Sequence, residues 1–142
     1  MRRTDLNNSE ENIRARDAAI KYVGISKKTE YEVKQKLKRL NITSSVIHQE
    51  IEYLKELGYI DDLDYVQSYL RQCDKMEQYS IYEITNKLLQ KGVKASIIEQ
   101  EIECLKESDY ELRVIEKLNK GKIKSYDDIK KQNYLYRRGF RF

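Results

Sequence analysis

Leu57-Gly58-Tyr59-Ile60-Asp61-Asp62 is the stretch whose reading decides how this 142-residue chain folds. A glycine directly after the last apolar residue of a helical pattern is the preferred left-handed terminator, because it has no Cβ to clash. The two aspartates that follow suit a helix start. Their short carboxylates accept the free N–H groups of a first turn and sit at the positive end of the helix dipole. The stretch therefore reads as a helix end, a tight connection and a new helix, with Tyr59 and Ile60 plugging the joint. A degraded copy stands at Ser108-Asp109-Tyr110, which makes Tyr110 the second hinge residue.

Working outward, Val33, Leu37 and Leu40 form an i, i+4, i+7 stripe on a helix expected from Thr29 to about Leu40. Thr29-Glu30-Tyr31-Glu32 opens it as a capping box, in which hydroxyl and carboxylate each satisfy a backbone donor. Asn41 is the expected left-handed stop. The next helix starts at Thr43-Ser44-Ser45, turns Ile47, Ile51 and Leu54 inward and ends at Gly58. Ahead of both, Ala15, Ala18, Ala19, Tyr22 and Val23 mark a helix from about Glu11 to Ile25. Residues 1–10 lack apolar periodicity and are expected to form a mobile arm.

The same plan then recurs at an offset of 51 residues, with 14 of 29 positions identical between Tyr31–Tyr59 and Tyr82–Tyr110 without a gap. Identity of that density is an internal repeat. Ser80-Ile81-Tyr82-Glu83 is its capping box and Gly92 its stop. A third copy begins at Tyr110, with Ser125-Tyr126-Asp127-Asp128 as the expected cap and Arg138-Gly139-Phe140 standing where Lys91-Gly92-Val93 stood. The expected fold class is all-α, built from tandem three-helix repeats in a three-plus-three-plus-two array, elongated and able to curve. The segments expected are an arm over 1–10, repeats over 11–58 and 59–109, and a repeat over 110–142 without its third helix.

Composition bounds the function. Charged residues make up 37% of the chain, mean hydropathy is −0.84, and there is no proline. No apolar run approaches a membrane span, and Met1-Arg2-Arg3 does not lead into a secretory signal, so a cytoplasmic protein without membrane contact is expected. Net charge is +4, distributed as +5 over residues 1–39, −8 over 40–112 and +7 over 113–142. Basic ends around an acidic middle suit a molecule that meets a polyanion and a protein together.

Catalysis has little to work with. His48 is the only histidine, and its repeat mate is Glu99, which argues for a solvated face. Cys73 and Cys104 have neither metal-ligand spacing nor a histidine partner and read as packing residues. Gly121-Lys122 lacks the rest of a phosphate loop. No enzyme activity, metal or cofactor is expected. Lys27, Lys28, Lys34 and Lys38 near the second helix, and Lys130, Lys131, Arg137, Arg138 and Arg141 near the end, are the candidate DNA contacts. Such residues neutralise phosphates without reading sequence, so weak, sequence-independent binding is expected. Tyr134 and Tyr136, beside the terminal arginines, are the candidate stacking residues. Gly58, Tyr59, Ile60, Asp61, Asp62 and Tyr110 are assigned to the structural hinges.

These residues resemble the RecX family of recombinase regulators over roughly residues 14–142. The carriers are Leu57-Gly-Tyr-Ile-Asp-Asp62 with Tyr65 and Val66 behind it, Glu32-Val33 with Leu37, Lys91-Gly92-Val93 followed by Ile97-Ile98, and Arg137-Arg138-Gly139-Phe140. The resemblance implies tandem three-helix repeats and a partner, a RecA-type recombinase filament on DNA, which a monomeric protein would modulate in recombination, repair and the SOS response. The sequence departs from the family pattern in its third hinge, where Ser108-Asp109-Tyr110-Glu111 replaces Gly-Tyr-Ile-Asp, and in the missing last helix. The residues by themselves leave open a basic helical DNA binder and a helical-repeat adaptor for another protein.

Overall fold

Eight α-helices and no strand are present among the described residues, which run from 3 to 141 in a computed structural model and are described by backbone alone over 3–9. They are α1 (Arg3–Ile25), α2 (Glu30–Arg39), α3 (Ser44–Glu56), α4 (Asp62–Met76), α5 (Ile81–Gln90), α6 (Ala95–Glu107), α7 (Tyr110–Lys120) and α8 (Asp128–Arg137). The all-α class is therefore as expected.

The chain divides into two compact units. One comprises the chain up to Tyr65 together with Lys91–Val93; the other comprises Val66–Gln90 and the chain from Lys94 onward. In the first unit α1, α2 and α3 pack on one another around Ala15, Ala19, Val33, Leu37, Ile51 and Leu54. Alanines at two core positions of α1 let its backbone approach its neighbours closely. In the second unit α5 packs on α6 and α6 on α7, with Ile84, Leu88, Ile98, Ile102, Tyr110 and Val114 buried.

Helix ends follow one chemistry. After α3 the N–H of Tyr59 donates to the Leu54 carbonyl (2.9 Å) and that of Gly58 to Lys55 (3.1 Å), with Gly58 at φ +81°. After α2 and α8 the same pair of bonds closes around Asn41 (φ +60°) and Gly139 (φ +85°). Each returns otherwise orphaned carbonyls to hydrogen-bonded partners, and each turns an apolar residue, Ile42 or Phe140, into the core.

Several expectations are corrected. Helix α1 begins at Arg3 rather than near Glu11, so most of the arm expected over 1–10 is helical; Met1 and Arg2 lie outside the described residues. No glycine or proline interrupts residues 3–23, and Glu11 holds the Thr43 N–H (2.5 Å), which ties the helix to the start of α3. Leu40 is 38% exposed rather than a core residue, because the chain turns left-handed immediately after it. Only Ile60 of the Tyr59–Ile60 plug is buried; Tyr59 is 48% exposed.

The third cap is shifted. Asp127, not Ser125, caps α8, taking the Lys130 N–H at 2.8 Å. Aligned on their terminating glycines, Asp127 matches Ser80, Ile129 matches Tyr82 and Lys130 matches Glu83. With lysine at the third helical position no carboxylate can reach back, and the reciprocal box is lost.

Candidate functional site

The capping boxes do more than start helices. Thr29 is fully buried, accepts the Glu32 N–H (3.2 Å) and donates its own hydroxyl hydrogen to the Lys91 carbonyl (2.6 Å). Glu32 closes the box on the Thr29 N–H (3.1 Å) and reaches Lys91 Nζ (3.5 Å). Gly92 lies against the Tyr31 side chain. The second unit repeats the arrangement with Ser80 on the Arg138 carbonyl (2.6 Å), Glu83 on the Arg138 guanidinium (2.8 Å), and Gly139 against Tyr82. The hydroxyl, carboxylate and tyrosine of one helix start thus clasp the basic-Gly-apolar turn at the end of another helix.

The hinge acids join these clasps. Asp61 caps its own helix through the Asp64 N–H (3.1 Å), but Asp62 reaches Glu30 N–H (2.9 Å) and caps α2 instead of α4. Burial raises the Asp62 carboxyl above its ordinary range. Glu111 does the same for Ile81 N–H (2.9 Å) at the degraded hinge. There Tyr110 is wholly buried and donates its hydroxyl to the Tyr79 carbonyl (2.6 Å). Burial, with the nearby Cys73 thiol adding to it, pushes the Tyr110 phenol up to about 12. The unfolded phenol ionises near pH 10, so the folded protein holds the extra proton between these values and stability falls as pH rises through that window. We expect a loss on the order of 2 kcal/mol between about pH 10 and 12, absent in Tyr110→Phe, by urea titration at each pH.

The candidate DNA contacts separate into engaged and available groups. Arg138 is engaged: its guanidinium holds Glu83, the Gln78 carbonyl (2.6 Å) and the Tyr134 hydroxyl (3.1 Å), so it belongs to the clasp. Lys27 pairs with Asp64 (2.7 Å) and Lys34 with Glu30 (3.1 Å), while Lys28 bonds Ser26 and lies over the Tyr22 ring. Arg113, counted in the basic terminal block, is held by Asp74, Glu77 and Asp109. Lys38, Arg137 and Arg141 are exposed and make no ion pair among the described residues, and Lys131 is half-buried.

A basic-aromatic surface does form around the start of α8. Lys130 lies over Tyr126 (4.2 Å), Lys122 over Tyr134 (5.6 Å), and the two rings meet edge to face at 6.1 Å. Tyr136 is 78% exposed beside Arg137. Sequence reasoning missed Tyr126, and it missed a groove of about 440 Å³ in the first unit where Arg14, Lys21 and Lys36 surround Tyr22. Arg14 and Lys21 are seven residues apart on α1, a two-turn spacing that could have flagged them.

His48 is exposed, and Cys104 is exposed too, against the packing role expected of it; its counterpart Tyr53 carries the stacked Arg16 (3.9 Å), and Gln67 takes the arginine's place in the second unit. Cys73 is buried, which raises its thiol pKa. Among the described residues no helix is long and apolar enough to cross a membrane.

Comparison with known proteins agrees with these features. The family model described as "RecX, first three-helix domain" matches residues 15–54, from the middle of α1 through α2 to near the end of α3. A "Regulatory protein RecX" of Clostridium botulinum is 35% identical over 93% of this chain and 63% of its own length; one from Streptococcus agalactiae is 37% identical over 70% and 38%. The chain thus spans less than two thirds of these relatives. The crystal structure of RecX from Lactobacillus salivarius superposes with a TM-score of 0.79 at 25% identity, covering 94% of this chain and 91% of that one. A second structure, of regulatory protein RecX, has a TM-score of 0.84 at 19% identity over 97% and 71%, a likeness of fold. With the repeated caps, the basic-Gly-apolar turns and these relatives together, the chain is similar to proteins of the RecX family over nearly its whole length.

Proposed function

We propose that this protein regulates a RecA-type recombinase in the cytoplasm by binding its filament on DNA, as a monomer and without catalysis. The observation that carries the reading is the similarity to regulatory RecX proteins over 93% of the chain. The segments 11–58, 59–109 and 110–142 act as successive contact modules, so that several modest contacts combine into avidity. The acidic middle meets basic filament surface. The basic-aromatic surface of Lys122, Lys130, Lys131, Arg137 and Tyr136 approaches DNA phosphates, as do Lys36 and Lys38 in the first unit. Occupying the filament alters its growth and turnover while the chain itself does no chemistry.

The test is recombinase ATPase and strand exchange on single-stranded DNA, titrated with this protein. Both rates should change as binding saturates; unchanged rates at saturation would leave a helical adaptor for another partner as the reading. For the DNA contact, Lys130→Gln with Arg137→Gln should weaken binding evenly across sequences. The salt slope should fall by up to about 0.7–0.9 per lost contact. Arg138→Gln should instead lower the unfolding midpoint, since that guanidinium is spent on Glu83. Salt-independent affinity would sink the DNA part.

A further inference from the structure

The internal repeat lets one groove be compared with its counterpart in the first unit. In the first unit Glu30 bridges Lys34 (3.1 Å) and Lys55 (3.0 Å). Burial works against the Glu30 charge, yet the two lysines outweigh it and hold the carboxyl below its ordinary range. At an offset of 51 residues Glu30, Lys34 and Lys55 become Ile81, Thr85 and Lys106. The bridging carboxylate is gone, and Lys106 makes no ion pair or hydrogen bond among the described residues. In its place lies a groove of about 580 Å³ lined by Ile81, Tyr82, Thr85, Leu105, Lys106 and Leu112. Tyr82 is 58% and Leu112 67% exposed, and Arg141 stands at the rim with its side chain unpaired among the described residues. Glu111 also borders the groove, but its two oxygens are taken by the Ile81 and Arg141 N–H groups.

We propose that this groove docks a partner protein's peptide segment in which a Glu or Asp adjoins a large apolar side chain, the carboxylate meeting Lys106 as Glu30 meets Lys55 and the apolar group covering Ile81 and Leu112. Charge complementarity selects the occupant. Two unpaired cations around an apolar floor favour a carboxylate with apolar flanks over either a wholly apolar segment or a polyanion, which the floor would not reward. A volume of this size accommodates a few side chains, not a folded domain. The proposal goes beyond the regulatory reading and holds whichever protein carries the segment.

The experiment uses the full chain and fluorescently labelled twelve-residue peptides, each with one Glu flanked by Leu and Phe in a Gly-Ser background, and the matching Gln peptides. Saturable anisotropy changes are expected for the Glu peptides. Binding should be about tenfold weaker for the Gln peptides and for Lys106→Gln. The informative variant is Ile81→Glu with Thr85→Lys, which rebuilds the internal bridge of the first unit and should exclude the peptide while the helical signal and melting transition are retained. No saturable binding, equal binding of Glu and Gln peptides, or undiminished binding to the rebuilt variant overturns the proposal. So does an oligonucleotide that binds with the same dependence on Lys106 while the peptides do not. Because no recombinase is present, failure here leaves the filament reading to its own ATPase test.

Discussion

Replacing Gly92 with alanine is expected to cost about 3 kcal/mol or more, the largest effect among the five glycines. Two terms combine. A φ of +79° places an L-residue in the left-handed region, at about 1–2 kcal/mol. A Cβ there would also stand 2.2 Å from Tyr31 Cβ and 2.4 Å from Cγ, so the clasp must open or the helix start must shift, and such overpacking adds about 1–3 kcal/mol. Gly58 supplies the control. Its φ is +81° but an added Cβ meets nothing within 4 Å, so Gly58→Ala should lose only the conformational part, about 1 kcal/mol. Urea unfolding of both variants measures the difference as a shift of midpoint at constant slope. Adding Tyr31→Gly to Gly92→Ala should recover the overpacking term, because it removes the Tyr31 Cβ that alanine would keep, giving strong non-additivity. Equal losses at Gly58 and Gly92 would mean that the tyrosine contact is of no consequence.

Arg16→Met is expected to destabilise by about 2–4 kcal/mol, because it strands a buried carboxylate. Glu50 is 1% exposed on α3 and is held by Arg16 Nε (2.9 Å), Arg16 Nη2 (3.2 Å) and Asn12 Nδ2 (2.9 Å). Methionine keeps the length of the apolar stem but removes the charge, its donors and the guanidinium stacked on Tyr53 (3.9 Å). Arg16 keeps 41% of its side chain exposed, so water can partly replace it, and the range stays below that of a wholly enclosed pair. The repeat again gives a control. Gln67 and Glu101 occupy the equivalent positions, joined by one hydrogen bond of 2.8 Å at the surface, so Gln67→Met should cost under about 1 kcal/mol. Glu50→Gln in the Arg16→Met background should recover much of the loss; no recovery would show that packing, rather than the stranded charge, sets the cost.

What the sequence by itself determined is whatever depends on near neighbours in the chain. Helical periodicity at Val33-Leu37 and Ile47-Ile51-Leu54, the boxes at Thr29 and Ser80, and the stops at Asn41, Gly58 and Gly92 are settled within one or two turns, and each stands as read. The ungapped repeat added the recurrence of these elements. Only the tertiary structure decided which groups are spent across the chain. Thr29 and Lys91 are 62 residues apart, Ser80 and Arg138 58, and no local rule pairs a cap hydroxyl with a distant carbonyl. The same applies to Asp62, whose local chemistry marked it for α4 while its carboxylate serves α2. Arg138 looked like a DNA contact because arginine type and terminal position are visible in sequence, whereas the Glu83 that consumes it lies 55 residues away. Formal charge is a property of composition, but available charge depends on which partners folding brings within hydrogen-bond reach.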